Sequence, residues 1–479
     1  MSESQELRAV AGSPLGTRRA GVLMHVTSLP SGDLGASAYA FVDWLAEAGA
    51  TVWQLLPLVP VHEDEASPYN SLSAMAGNSL LISDALREEH GLRTLADVAP
   101  EQRAQHDAWC QQHASWLEPY VEFTVLRELH DRRPWLEWEP GLRDRVPADV
   151  ARALAPHADR CDAVRLEQWV FDEQWRALTT YAAERGVLTF GDLPIFVAPD
   201  SADVWADREM FQLDAEGRPT TVTGVPPDYF AVDGQRWNNP HYDWEAMAAD
   251  DFGWWRRRIA RQRELFDLVR IDHFRGFQAA WHVPVEAPTA RDGAWVEGPG
   301  HEVLAALVET AGGGTLVAED LGVITPEVDE LRTSAGLPGM KVLQFAFDGG
   351  RDNPYLPRFH GEDAVVYTGT HDNDTTLGWW SGLDRNDRRR VRRHLAAGEQ
   401  VPWALVHLAL SSTARLAVVP AQDLLSLGSD ARMNTPGTAT GNWGWQADDG
   451  AFTPELAARL RVLVEETGRA VGKDAHPQG

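Results

Sequence analysis

Several residues able to do acid–base chemistry stand where short apolar runs of this sequence end. They are Asp192, Arg270 with Asp272, Glu319, and His371 with Asp372. A strand has a period of two, so Arg270 and Asp272 are expected on the same face. Buried strands rarely carry an arginine and a carboxylate side by side unless a cleft needs both. An internal salt bridge that closes a loop is the simpler alternative for an isolated Arg-x-Asp.

Carboxylates gathered in one cleft suit three kinds of function. A magnesium site could use Asp272, Glu319 and Asp372 as ligands. Glycosyl transfer or hydrolysis needs one nucleophilic carboxylate and a second carboxyl group as acid and base. A cleft lined by tryptophan could instead bind sugar without catalysis. Against a metal, no His-x-Glu or His-x-x-x-His pair lies near these positions, and an arginine close to Asp272 already keeps that carboxylate ionised. We therefore expect no metal and no other cofactor.

Eight apolar segments, alternating with helical patterns, must hold these side chains. The predicted strands are Gly21–Val26, Thr51–Leu56, Val187–Phe196, Leu265–Asp272, Thr315–Asp320, Met340–Phe347, Ala364–Asp372 and Leu416–Val419. This alternation predicts an α/β fold, a (β/α)8 TIM barrel. Such barrels carry their chemistry at the C-terminal ends of the strands. One acid there often only caps the next helix, but acids at four strand ends favour a site.

Two insertions interrupt the alternation within what we interpret as a single catalytic domain over residues 1–479. Residues 59–186, after the second strand, are expected to form a mainly helical insertion. Residues 198–251, after the third strand, are rich in Pro, Gly, Asp and Trp. We expect this second insertion to be loop-rich and to cover the active site.

The composition of the chain excludes some classes of binding partner and indicates a cellular location. The formal charge of −28 argues against nucleic acid, whose phosphates need a basic face, and against anionic membranes. No apolar run approaches a membrane span, the start lacks the apolar core of a signal peptide, and two cysteines suit a reducing cytoplasm. A neutral substrate and a cytoplasmic location are therefore expected. The 20 tryptophans suit sugar faces, although packing explains most of them equally well.

Several longer segments carry a family resemblance. They are Arg270–Gly276, Ala318–Gly322, Thr368–Thr376, Gly191–Ile195, Asp200–Trp205, Gly224–Phe230, Gly234–Trp237, Ser67–Tyr69 and Arg432–Gly437. These segments span nearly the whole chain, about residues 21–445, and in chain order they resemble the signature blocks of glycoside hydrolase family 77 of the α-amylase clan. Its members are 4-α-glucanotransferases, also called amylomaltases or disproportionating enzymes. The resemblance implies transfer of a 1,4-α-glucan segment to the 4-hydroxyl of glucose or a malto-oligosaccharide.

The resemblance also implies roles for individual residues in a retaining double displacement. Asp272 would be the nucleophile that forms a β-glycosyl-enzyme, Glu319 the general acid and then base, and Asp372 the carboxylate that holds the sugar hydroxyls. The implied substrate-binding residues are Arg270, His371, Tyr69, Asp192, Asp228, Gln235, Trp237, His273, Phe345 and Asn434. Among them Tyr69 would stack under the sugar, and Asp228, Gln235 and Trp237 would belong to a loop over the cleft.

Some positions depart from the family pattern. Residues 61–66 replace a segment that usually carries Gly-Tyr-Gly, and Gln278, Ala280 and His282 stand where Glu, Tyr and Glu are common. None of them is one of the three carboxylates, so the same reaction is expected. These positions do not predict the size of the products. The proposed mechanism predicts a raised pKa for Glu319, through burial beside other carboxylates. A hydrolase of the same clan and an inactive glucan-binding relative remain the alternatives; the sequence does not give the oligomeric state.

Overall fold

Twelve strands lie within residues 14–62, 65–227, 232–438 and 440–471, which are the residues that the computed structural model describes. The strands are β1 (Arg19–Leu23), β2 (Val52–Gln54), β3 (Leu188–Pro194), β4 (Thr221–Val225), β5 (Gln235–Pro240), β6 (Leu268–Asp272), β7 (Ala279–Pro284), β8 (Ala294–Glu297), β9 (Leu316–Ala318), β10 (Gly339–Val342), β11 (Ala364–Tyr367) and β12 (Leu416–Pro420).

Eight of these strands form a parallel sheet in the order β10-β11-β12-β1-β2-β3-β6-β9. Read as a closed circle that starts at β1, this order follows the chain: β1, β2, β3, β6, β9, β10, β11 and β12. The Ala318 amide donates a hydrogen bond of 2.9 Å to the Pro338 carbonyl, which links the end of β9 to the start of β10. The predicted (β/α)8 barrel is therefore confirmed.

Strand β6 shows how alternation builds the barrel. Leu268 belongs to the apolar cluster inside the barrel, while Val269 and Ile271 belong to the larger cluster between the sheet and the helices. Side chains of a strand alternate between its faces, so Arg270 and Asp272 continue the inner row that Leu268 begins. The interior is filled with apolar side chains at the N-terminal side of that row, and polar groups follow at the mouth.

Sixteen α-helices cover the barrel or fill the insertions within the described ranges. They are α1 (Ala36–Ala48), α2 (Asp84–Glu89), α3 (Pro100–Leu129), α4 (Pro140–Arg143), α5 (Pro147–Leu154), α6 (Ala158–Glu184), α7 (Ala202–Ala206), α8 (Trp244–Ala249), α9 (Gly253–Leu265), α10 (His301–Ala311), α11 (Pro326–Ser334), α12 (Thr376–Gly382), α13 (Arg385–Arg392), α14 (Trp403–Leu410), α15 (Ala421–Leu424) and α16 (Pro454–Glu466). Helices α2 to α6 occupy residues 84–184, with the long α3 packed on α6.

A second sheet was not foreseen from the sequence. Its four antiparallel strands have the order β5-β4-β7-β8, so residues 198–251 contribute two strands as well as α7 and α8. Every residue of β8 is exposed, which removes the alternation that would reveal a strand. In β4, a Cβ added at Gly224 would lie 2.3 Å from the Gln235 carbonyl oxygen, so the close pairing of β4 with β5 requires glycine there.

Several predicted strands are shorter in the structure, and the two that begin at Met340 and Ala364 show why. The apolar segment from Met340 continues past β10 as a 3₁₀ turn, Leu343–Phe345. The segment from Ala364 leaves the sheet after Tyr367, and the Thr368 hydroxyl donates to Asp423 at 2.6 Å. Side-chain bonds of this kind compete with strand pairing, so His371 and Asp372 lie on a loop after β11.

Candidate active site

Strand register brings the first two polar groups together. In the pairing of β3 with β6, Asp192 lies opposite Arg270 and Pro194 lies opposite Asp272. Both members of the Asp192–Arg270 pair are almost completely buried. A Cβ on the preceding Gly191 would approach the Phe266 ring to 2.3 Å, so only glycine lets β3 lie this close to the segment that enters β6.

Arg270 joins two carboxylates. Its Nη1 donates to both Asp192 oxygens, at 2.7 and 2.8 Å, and its Nη2 lies 2.7 Å from Asp272 Oδ1. Burial alone would lower the pKa of Arg270, but the Asp192 and Asp272 carboxylates outweigh it and raise that pKa well above its usual value. The guanidinium therefore stays charged and binds both carboxyl groups. The salt bridge considered from the sequence exists, but within a wider polar cluster.

Glu319 follows β9 and lies beside the end of β6. Its amide donates to the Ile271 carbonyl at 3.0 Å, and its two carboxyl oxygens accept from the amides of His273 at 2.7 Å and Leu321 at 2.8 Å. Burial, reinforced by the charge of Asp272 and opposed by Arg270 and these amides, raises the pKa of Glu319 to about 8. At neutral pH this carboxyl group keeps its proton, as expected from the sequence.

Asp372 is held on a loop by the chain beyond β12. Asn434 Nδ2 donates to Asp372 Oδ1 at 2.7 Å, and Arg432 Nη2 donates to the Asp372 carbonyl at 2.6 Å. His371 Nε2 lies 3.4 Å from the same carboxylate oxygen. The structure thus brings the predicted Asn434, His371 and Asp372 together, and it adds Arg432, whose side chain fixes the Asp372 backbone.

Tyr69 closes the cluster from the first insertion. Its hydroxyl donates to Asp192 Oδ2 at 2.7 Å, and its ring stacks on His371 with centroids 5.1 Å apart and planes 13° apart. Trp443, which sequence reasoning missed, lies 5.7 Å from the Tyr69 ring and 6.1 Å from the His371 ring. Only its neighbours Asn442, Gly444 and Trp445 could have signalled it, because the segment has no strand or helix periodicity.

The predicted loop over the cleft is partly visible. Gln235 and Trp237 lie on β5, where Trp237 Nε1 donates to Gln235 Oε1 at 3.2 Å. The Trp237 ring meets the His273 ring edge to face at 4.8 Å, and the His273 amide is one of the two donors to Glu319. Trp237 therefore lies close to the acid. Asp228 lies outside the described residues.

Phe345 lies in the 3₁₀ turn that follows β10. Its ring packs against the apolar cluster inside the barrel and meets the Tyr355 ring at 5.6 Å. Burial, and then the nearby carboxylates of Asp320 and Glu319, raise the pKa of Tyr355, so Tyr355 lies near Glu319. Phe345 is thus linked to the acid through one aromatic neighbour, and its predicted contact with substrate stays a prediction.

Two kinds of site are not found in the described ranges. Among residues 14–62, 65–227, 232–438 and 440–471, no group of three or more His, Cys, Asp and Glu side chains is arranged to hold a metal ion. In the same ranges, no helix has the length and apolar character needed to cross a membrane.

A barrel whose mouth joins an arginine-held aspartate, a protonated glutamate and a third aspartate is typical of enzymes that cleave glycosidic bonds. The family profile described as 4-alpha-glucanotransferase, glycoside hydrolase family 77, matches residues 24–94 and 84–450. The chain belongs to this family.

Individual relatives are similar to this protein over most of its length. A 4-alpha-glucanotransferase of Thermus thermophilus is 46% identical over 94% of this chain and 99% of its own, and one of Synechocystis is 43% identical over 95% and 99%. The solved amylomaltase of Streptococcus agalactiae, in complex with acarbose, superposes with a TM-score of 0.90 at 31% identity, over 94% of this chain and 99% of that one. The chain is thus an enzyme of the 4-alpha-glucanotransferase type.

Proposed function

We propose that the enzyme transfers segments of 1,4-α-glucans to the 4-hydroxyl of glucose or malto-oligosaccharides by a retaining double displacement. The observation that carries this mechanism is the contact of Asp272 with the Arg270 guanidinium at 2.7 Å, beside a Glu319 whose pKa is raised to about 8. A carboxyl group held by a cation and a neighbouring one that keeps its proton would supply the nucleophile and the acid that the reaction needs.

In the first half-reaction, Asp272 attacks the anomeric carbon while the glycosidic bond breaks. Glu319 gives its proton to the departing oxygen, so the leaving glucan departs with a free 4-hydroxyl. In the second, ionised Glu319 takes the proton from the 4-hydroxyl of an acceptor. The acceptor oxygen then attacks the anomeric carbon and releases Asp272. Glu319 ends protonated again, and the α-configuration is retained.

Three further groups bind the sugar in this proposal. Asp372 accepts hydrogen bonds from the sugar hydroxyls, oriented by Asn434 at 2.7 Å. His371 binds the same sugar, and the Tyr69 ring stacks beneath it. Tyr69 is itself fixed by its bond to Asp192, so the platform and the arginine share one buried carboxylate.

Transfer wins over hydrolysis if an acceptor occupies the cleft before water does. Support comes from Trp237, whose ring lies 4.8 Å from His273 beside the acid. With Gln235 and the predicted Asp228, it would cover the site and bind acceptor glucose units. We also propose a cytoplasmic location, supported by the unpaired state of Cys110 and Cys161.

Incubation with maltotriose tests the transferase proposal. We expect glucose together with maltotetraose and longer products, separated by anion-exchange chromatography. Glucose and maltose without longer chains would favour the hydrolase alternative, and unchanged maltotriose would favour the inactive relative.

Matched aspartate variants test the nucleophile. Asp272→Asn is expected to lose almost all turnover. Asp203→Asn serves as the control, because Asp203 is a buried aspartate outside the site whose carboxyl group accepts from the Ala74 amide at 2.7 Å. Full turnover of Asp272→Asn would refute the assignment.

A further inference from the structure

A small, partly open cavity lies beside His371, in the wall formed where β1, β11 and β12 end. It has a volume of about 20 Å³, and its lining residues include His25, His371, Gln422, Arg432 and Met433. Such a volume holds one or two water molecules. Of the groups proposed to touch the reacting sugar, His371 is the one that lines it.

His25 is a polar side chain in this wall that the mechanism does not use. It is 8% exposed, and its Nδ1 atom is buried without a hydrogen-bond partner. Burial, with a smaller effect from His371, lowers the pKa of His25 to about 3. The imidazole is therefore neutral at the pH of the reaction. A buried nitrogen without a partner costs free energy unless a water molecule satisfies it.

The hydrogen bond that His371 can offer towards the cleft depends on the orientation of its ring. One ring nitrogen, Nε2, points towards Asp372 at 3.4 Å, and the ring face packs on Tyr69. Which nitrogen of a neutral histidine carries the proton is set by the partner of the other nitrogen. A partner on the cavity side would therefore decide whether Nε2 carries the hydrogen that a carboxylate or a sugar hydroxyl can accept.

We infer that His25 is a positioning residue for His371 and acts through water bound in this cavity. The water bridges His25 Nδ1 and the cavity side of His371, so that Nε2–H of His371 faces the cleft. This inference rests on the proposed role of His371 in sugar binding. Because the interaction with the sugar is realised most fully in the transition state, loss of the bridge should lower kcat more than it raises KM.

Two polar variants at position 25 test the inference. The amide of His25→Asn reaches the position of Nδ1, and that of His25→Gln reaches the position of Nε2, while both stay polar. We expect His25→Asn to keep kcat for maltotriose within about threefold, and His25→Gln to lower it about 10- to 100-fold, the usual effect of losing such a supporting group. KM should change less than threefold in both. Equal kcat values for the two variants would overturn the inference.

A double-mutant cycle separates positioning from a general packing role. His25→Leu should lower kcat as His25→Gln does. In the His371→Ala background it should lower kcat by less than a further twofold, because His25 acts only through His371. His106→Leu is the control, since His106 is 3% exposed and lies on α3 in the helical insertion; we expect it to keep kcat. Multiplicative losses in the cycle would contradict the inference.

The outcomes are distinguishable from failure of the proposed function. If the parent enzyme forms no longer chains from maltotriose, the transferase proposal fails. If it does form them and the cycle is multiplicative, only the role of His25 fails. If His25→Leu does not fold, the comparison of the Asn and Gln variants still decides.

Discussion

Replacement of Glu319 by glutamine should change the pH dependence of stability as well as activity. The pKa of this carboxyl group rises from an ordinary 4.5 to about 8, and each pKa unit corresponds to about 1.4 kcal/mol. Between these two values the folded protein binds more protons at this site than the unfolded chain does. Its stability therefore falls as the pH rises, by about 4 kcal/mol between pH 5 and 9 from this one group.

Glutamine removes that titration, but it cannot accept both of the hydrogen bonds that Glu319 accepts. Both oxygens of Glu319 accept from backbone amides, at 2.7 and 2.8 Å, and a glutamine side chain can accept through one atom only. The amide left without an acceptor costs about 1–3 kcal/mol. We therefore expect Glu319→Gln to be less stable than the parent at pH 5 and more stable at pH 9, with loss of nearly all transferase activity at both.

Urea unfolding of the two proteins at pH 5, 7 and 9 measures this difference. The informative quantity is the change in the stability difference with pH, because the mismatch is the same at every pH. Parallel stability curves across this range would refute the raised pKa. Activity of the parent with maltotriose should also decline above about pH 8, as Glu319 loses the proton that the first step requires.

Three further variants test the surrounding cluster. Arg270→Leu should destabilise the protein by about 3–5 kcal/mol in urea unfolding, because it leaves the buried Asp192 without its cation. It should also abolish transferase activity, because Asp272 loses the same cation. Tyr69→Phe keeps the ring that stacks on the sugar but loses the 2.7 Å bond to Asp192, so we expect about 1.5–3 kcal/mol less stability with little change in KM. Trp237→Ala should raise the ratio of free glucose to longer products from maltotriose several-fold, because water gains access to the glycosyl-enzyme.

Each variant has an outcome that contradicts its premise. A stability loss for Arg270→Leu no greater than that for Arg160→Leu, which breaks a half-exposed ion pair with Glu128 at 2.8 Å, would mean that the buried pair contributes little. An unchanged urea midpoint for Tyr69→Phe would show that Asp192 does not need the hydroxyl. An unchanged product ratio for Trp237→Ala would show that this residue does not keep water from the glycosyl-enzyme.

Sequence reasoning succeeded where a local pattern carries the information. Apolar residues at helical spacing in the sequence predict helices over His301–Ala311 and Pro326–Ser334, and α10 and α11 have these bounds, because flanking Gly or Pro marks both ends. The same reasoning extended the strand from Ala364 five residues too far, since apolar and β-branched residues continue to Thr370. The side chain of Thr368 instead bonds Asp423, a partner that lies 55 residues away.

The sequence alone determined the barrel and the identity of its polar strand ends, because both depend on short-range alternation and on which residue types follow each apolar run. Only the tertiary structure decided what those residues are chemically. Glu319 keeps its proton because the closed barrel withdraws it from water and places Asp272 beside it. Asp372 is oriented by Asn434, which is 62 residues further along the chain, and Arg270 is held between two carboxylates from neighbouring strands. Burial and long-range contacts set these properties, and both exist only once the chain has folded.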